Sequence, residues 1–142
     1  MRAFLAVGLA AALGLAAVGC NDDPAEDALG PGTVTVELEL HHSRFRPARL
    51  RVVEGTTVRF VVRNTDPIDH ELIVGDDAVH RRHERGSEPF HEPKPGEVSV
   101  LAGETGETTY RFHERGTVVM ACHLPRHLSY GMRGEVEVVA AS

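Results

Sequence analysis

The sequence predicts an all-β fold, an antiparallel sandwich of two sheets, and three observations carry that expectation. Apolar residues recur at every second position in short runs, glycines fall between the runs, and no convincing long helical period interrupts them. The chain has 142 residues, a one-domain length with room for a real core, and its 42% hydrophobic and 25% charged residues are ordinary for a globular protein. A net charge of −6 argues against nucleic acid as a partner, which would call for a basic face.

Taken in order, the chain opens on a targeting segment, residues 1–20. Arg2 is a lone positive charge, residues 3–18 are an uncharged run of Ala, Leu, Val, Gly and Phe, and Ala17, Val18 and Gly19 place small residues before Cys20. Small residues running into a cysteine resemble a bacterial lipoprotein signal. That resemblance implies that Cys20 is acylated and becomes the mature N-terminus, with the domain tethered to a membrane on its periplasmic or cell-surface side. An uncleaved transmembrane anchor is the alternative, but the run falls short of the roughly 20 residues a bilayer needs. Losing Arg2 with the leader moves the charge from −6 to −7, so the mature domain is acidic. Residues 21–32, with Asp22, Asp23, Pro24, Glu26, Asp27, Gly30, Pro31 and Gly32, have almost nothing to bury and read as a flexible tether. Residues 33–142 then form the folded domain. The two cysteines, Cys20 and Cys122, have separate roles, so no disulfide framework is implied.

From Thr33 the period becomes two. Val34, Val36, Leu38 and Leu40 alternate with Thr35, Glu37 and Glu39, as a half-buried strand requires. Leu50 and Val52 alternate with Arg49 and Arg51; after a turn at Glu54 and Gly55, Val58, Phe60 and Val62 alternate with Thr57, Arg59 and Arg63. Residues 71–74, 98–101, 108–112, 117–122 and 135–139 are further strands, with Gly75, Gly103, Gly106 and Gly116 in the turns. His41, His42 and His113 lie on or beside strands with no second soft ligand near them in sequence, and they are expected to pack at edges or face solvent.

Residues 76–95 break the regular spacing. A short helix started by an Asp would place His80 and His83 on one face. The arginines Arg81, Arg82 and Arg85 would repel a cation there, so the expectation is a solvated charged flap in which His80, His83 and His91 bind no metal.

The chemistry concentrates in residues 122–132, where Cys122, His127 and Met132 stand at even five-residue steps between two strand-like runs. Thiolate and thioether together favour copper over zinc, calcium or magnesium, and a trigonal Cys and two His with a distant Met is an electron-transfer copper site. The second His is supplied by His70, where a strand resumes after the polar turn at residues 64–69.

With these residues in place, the chain resembles the cupredoxins, the blue-copper domains related to plastocyanin and azurin, over roughly residues 33–139. The resemblance implies a Greek-key β-sandwich holding one type 1 copper per chain, with His70, Cys122 and His127 as equatorial ligands and Met132 as the weak axial one. Glu71 follows His70 where the family often has Asn or Ser. His123 follows Cys122 as in multicopper oxidases, but their pattern has His on both sides of the Cys and this chain has Ala121.

Leu124, two residues after Cys122, keeps an N–H that can donate to the sulfur, whereas Pro125 has none. His127 lies in a loop, so an edge of its ring is expected to reach the surface among Leu124, Pro125, Leu128 and Gly131, an apolar patch suited to transient redox partners. No nucleophile with a base, phosphate loop or open catalytic metal site is recognisable, so a non-enzymatic role is expected. The expected function is that of a monomeric, membrane-tethered carrier of single electrons. Copper storage, delivery or resistance is the alternative, and an accessory domain without a redox role the third reading.

Overall fold

The computed structural model describes residues 28–86, 90 and 92–141. Among these residues nine strands make two facing sheets: β1 (Thr33–Leu40), β2 (Phe45–Arg46), β3 (Arg49–Val53), β4 (Thr57–Asn64), β5 (His70–Gly75), β6 (Glu97–Val100), β7 (Thr105–Arg111), β8 (Gly116–Ala121) and β9 (Arg133–Val139). One sheet runs in the order β2-β1-β4-β7 and the other β3-β9-β8-β5-β6. The period-two pattern decides what each strand buries. Val36, Leu38 and Leu40 of β1 and Val58, Phe60 and Val62 of β4 face inward from one sheet, and Leu72, Val74, Met120, Val136 and Val138 join the same core from the other.

The sandwich is the one the sequence predicts, and its pairing adds a detail. Most neighbours are antiparallel, but β1 runs parallel to β4 and β3 parallel to β9. After β1 and the short β2, the chain crosses to the opposite sheet as β3 and returns as β4 beside β1, so the two meet in the same direction. Leu29 extends this arrangement at the N-terminal side. Its N–H donates to the Arg51 carbonyl at 2.9 Å and its own carbonyl accepts from Val53 N–H at 2.9 Å, so residues just before β1 lie along β3.

The solvated flap expected for residues 76–95 is corrected by the structure. Asp77–Glu84 form a helix, α1, whose N-cap Asp76 accepts a hydrogen bond from Val79 N–H at 2.9 Å. The helix lies on the sandwich, and His80 and His83 are buried, at 8% and 4% exposure. Gly75 permits this close approach, since a Cβ there would meet Val79 side-chain atoms at 3.0–3.2 Å. The arginine charge that suggests a solvated segment is met from elsewhere: Glu97, on β6, pairs with Arg82 and with His83. Every residue of β5 is buried, because the core packs on the sheet face that carries Leu72 and Val74 while α1 packs against the strand from outside.

Candidate metal centre

Three strand ends place the donors. His70 opens β5, Cys122 follows the last residue of β8, and Met132 precedes the first residue of β9. Register brings these ends together, since Ile73 pairs with Ala121 and Ala121 with Arg133. The loop between Cys122 and Met132 is closed by its own backbone. His127 N–H donates to the Leu124 carbonyl at 2.9 Å, Tyr130 N–H to Arg126 at 2.9 Å and Gly131 N–H to Leu128 at 2.9 Å. Gly131 sits at φ +89°, a conformation that suits glycine and lets the chain turn back into β9.

His70 Nδ1 and His127 Nδ1 lie 3.2 Å apart, and Cys122 Sγ lies 3.2 Å from the same His127 nitrogen. The three donor atoms all fall within 4.8 Å of one another, close enough for one ion to reach them all, and no other group of three His, Cys, Asp or Glu among the described residues does so. Met132 is fully buried beside them. Its N–H donates to the His127 carbonyl at 3.0 Å and its carbonyl accepts from Cys122 N–H at 3.2 Å, so its backbone is fixed to two of the three.

The surroundings fix the protonation of each donor. Asp66 can only accept, and its Oδ2 lies 2.8 Å from His70 Nε2; His70 therefore carries its proton there and turns an Nδ1 lone pair towards His127. Asp66 is itself buried and held by the backbone N–H groups of His42 and Ser43, each at 2.7 Å. Burial pushes its carboxyl up, but the hydrogen bonds from Ser43, His70 and His42 outweigh it, and the group lies below the usual carboxylate range. Asn64 sets the turn that carries Asp66. Its Nδ2 donates to the carbonyls of Ile68, Val100 and Leu101 at 2.8, 3.1 and 3.1 Å, and its Oδ1 accepts from Asp66 N–H at 3.0 Å.

Burial pushes the Cys122 thiol up to about 12 despite N–H groups donated to its sulfur by Glu71 and Leu124. An ion that binds there must displace a proton, as thiolate ligands require. Burial, then His70, lowers His127, leaving its imidazole neutral and able to ligate. The Glu71 side chain takes a place behind the site, with Oε1 accepting from His123 N–H at 2.7 Å. The departure noted in the sequence therefore leaves the sulfur's hydrogen bonding in the backbone, where the side chain at that position does not decide it.

Of the four residues singled out in the sequence, His70, Cys122 and His127 thus bring their donor atoms together at one end of the sandwich, Met132 is joined to them through its backbone, and the Leu124 N–H reaches the sulfur. Sequence reasoning missed Asp66, which sits four residues before His70 across a turn. The turn residues Asn64, Asp66 and Pro67 were the only signal. Cys20 and His91 lie outside the described residues. His127 is half-buried, and Pro125 and Tyr130 beside it in the loop are exposed, with Tyr130 at 62%. The donor set of one thiol and two imidazoles, with the buried Met132 beside them, fits copper.

Comparison with known proteins points the same way. Residues 32–139 match the family model for copper binding proteins of the plastocyanin/azurin family. The copper-resistant cuproprotein CopI of Rubrivivax gelatinosus is 39% identical over 98 residues, which cover 67% of this chain and 59% of that one, so the chain spans less than two thirds of that relative's length. Auracyanin-B of Chloroflexus aurantiacus is 29% identical over 133 residues, covering 83% of this chain and 54% of that protein. Among solved structures, auracyanin A, a "blue" copper protein from Chloroflexus aurantiacus, has a TM-score of 0.61 at 24% identity over 76% of this chain and all of that one, a likeness of fold.

Proposed function

The chain belongs to the plastocyanin/azurin family of copper-binding proteins, and we propose that it is a carrier of single electrons, held outside the cytoplasm by a lipid on Cys20. Copper is its cofactor, and His70, Cys122 and His127 are the residues that hold it, with Met132 as a weak fourth donor. Bound there, copper supplies one-electron exchange between its two valences. The observation that carries this reading is the convergence of His70 Nδ1, His127 Nδ1 and Cys122 Sγ, all within 4.8 Å, on a framework of strand ends.

The protein's own part is to keep those donors still. Asp66 orients the His70 ring, the Glu71 and Leu124 N–H groups fix the sulfur, and the backbone of Met132 is tied to both His127 and Cys122. Donors pinned in this way change little when an electron arrives or leaves, which suits fast transfer. Donation to the sulfur lowers its electron density and favours the reduced form. The half-buried His127 ring, with Leu124, Pro125, Leu128 and Tyr130 in the same loop, offers a small contact for a transient redox partner. All the donor positions are filled by protein groups, which favours a non-enzymatic role.

Copper handling is the second reading, and the 39% identity to a protein named as copper-resistant favours it. One experiment separates the two. Cu(II) is added to the purified domain, the visible spectrum is taken, and exchange against a chelator is followed at neutral pH. A carrier gives an intense thiolate-to-copper band and keeps its copper for hours. The same band with exchange in minutes turns the assignment to copper storage, delivery or resistance, and a colourless protein overturns both.

A further inference from the structure

A second group of imidazoles stands behind the ligand loop. His80 Nδ1 faces His123 Nε2 at 2.9 Å, and the His83 ring stacks on His123 with centroids 6.0 Å apart and planes at 23°. His80 and His83 come from α1 and His123 from the residue after Cys122, so elements 39 or more residues apart in sequence meet here.

From this geometry we infer that His80 and His123 form a second cation site, separate from the one at Cys122, that binds copper(II) through imidazole nitrogens alone.

Four observations support it. First, His80 Nε2 lies 3.2 Å from the Val119 carbonyl, which can only accept, so the His80 proton sits on Nε2 and its Nδ1 lone pair points at His123. A backbone carbonyl behind the far nitrogen of a ring is how protein metal sites orient their imidazoles. Second, the pair is held from two sides: His80 is buried on α1, and the backbone N–H of His123 donates to Glu71 Oε1 at 2.7 Å.

Third, the nearby cations are engaged by carboxylates: Arg82 and, at 3.5 Å, Lys94 pair with Glu97, Arg81 Nη1 lies 3.9 Å from Asp77 Oδ2, and the buried Glu97 also holds His83 Nε2 at 3.1 Å, one ring away from the pair. Fourth, the site is reachable. A groove lined by Glu84, His123, Leu124 and Leu128 opens beside it. Two nitrogens each about 2 Å from one ion lie roughly 3.3 Å apart at a tetrahedral angle, so the pair needs to open by only a few tenths of an ångström. Among divalent first-row ions an imidazole site binds copper(II) most tightly.

The alternative is a plain hydrogen bond, with His123 Nε2–H donating to His80 Nδ1, and metal counting decides between them. The metal-free full chain is titrated with Cu(II), dialysed and analysed for copper, with the visible band and the electron paramagnetic resonance spectrum recorded at each step. Two coppers per chain are expected, the second adding no thiolate band. The His80→Gln/His123→Gln double variant should keep the thiolate band at full intensity with one copper. Cys122→Ser should keep one colourless copper, which the added His80→Gln and His123→Gln changes remove.

Wild type that saturates at one copper, or a double variant that still holds two, overturns the inference. If the double variant fails to fold, wild type decides alone: the second Cu(II) must show hyperfine splitting from two imidazole nitrogens, and a signal without them refutes the site. These outcomes are distinct from failure at Cys122, which is read from the thiolate band.

Discussion

The carboxylate of Asp66 accepts a hydrogen bond from Nε2 of His70 at 2.8 Å, four residues along the chain but across a turn rather than a helix. A buried negative charge one ring away from a copper ion stabilises the more highly charged valence. Asp66→Asn keeps an acceptor oxygen but removes that charge, so the midpoint potential should rise and copper affinity should fall about 10–100-fold, the usual cost of losing such a partner. Voltammetry and a competition titration measure both. An unchanged potential would reduce Asp66 to a turn-former.

Replacing Cys122 by Ser swaps a fully buried thiol for a hydroxyl of similar size. The intense visible band and the reversible one-electron couple should vanish while circular dichroism still reports a β-sandwich, because a hydroxyl is a poor donor to copper of either valence in this geometry. Retained colour would end the assignment of the site.

Met132→Gln tests the axial donor. An oxygen donor stabilises Cu(II) more than a thioether does, so the variant should bind copper and show a lower midpoint potential. No shift in the voltammogram would make Met132 a core residue alone.

The ligand residues were legible because their chemistry is rare and their spacing regular; Cys122, His127 and Met132 announce themselves in a single loop. The strands were legible for the same kind of reason, since Val58, Phe60 and Val62 bury one face whatever the partner. Two things were not. Asp66 reaches His70 only because Asn64 pins the intervening turn with three side-chain donations and because His42 and Ser43 arrive from the β1–β2 loop, 24 and 23 residues away. His80 and His83 looked solvated beside three arginines, and Glu97, which pairs with Arg82 and holds His83, lies 14 or more residues further on a separate strand.

Stability of the metal-free protein should depend on pH in a stated direction. His123 titrates at about 4 in the fold, held down by burial and then by His80 and His83, and near 6.5 when unfolded. Its folded value is the lower one, so the unfolded chain binds more protons between them. The stabilisation is complete above about 6.5 and is lost as pH falls towards 4. His80 and His127 shift the same way. Urea midpoints should drop across that window, and His123→Gln should flatten the drop; a flat wild-type curve would contradict the assigned burial.

Cys20→Ala examines the proposed anchor. Each buried methylene of an acyl chain contributes about 0.8 kcal/mol of membrane affinity, so the variant should appear in the soluble fraction or remain unprocessed. Membrane association unaltered by the change would point to the apolar run itself as the tether.

The Leu29 pairing along β3 also fixes where the chain enters the sandwich. Leu29 sits beside Val52, which pairs with Val138, whereas Met132 lies just before the opposite end of β9. Chain entry and copper centre are therefore at opposite poles of the sandwich, some five residues of strand or about 17 Å apart. Eight residue steps separate Cys20 from Ala28, a leash of at most about 29 Å when fully drawn out. Were Cys20 to carry the proposed lipid, the domain would stay within that reach of the bilayer, with its copper pole at the end away from the chain entry. Under that proposal, partners free in the surrounding space would reach His127 without displacing lipid, and a partner embedded in the same membrane would have to project far enough to meet it.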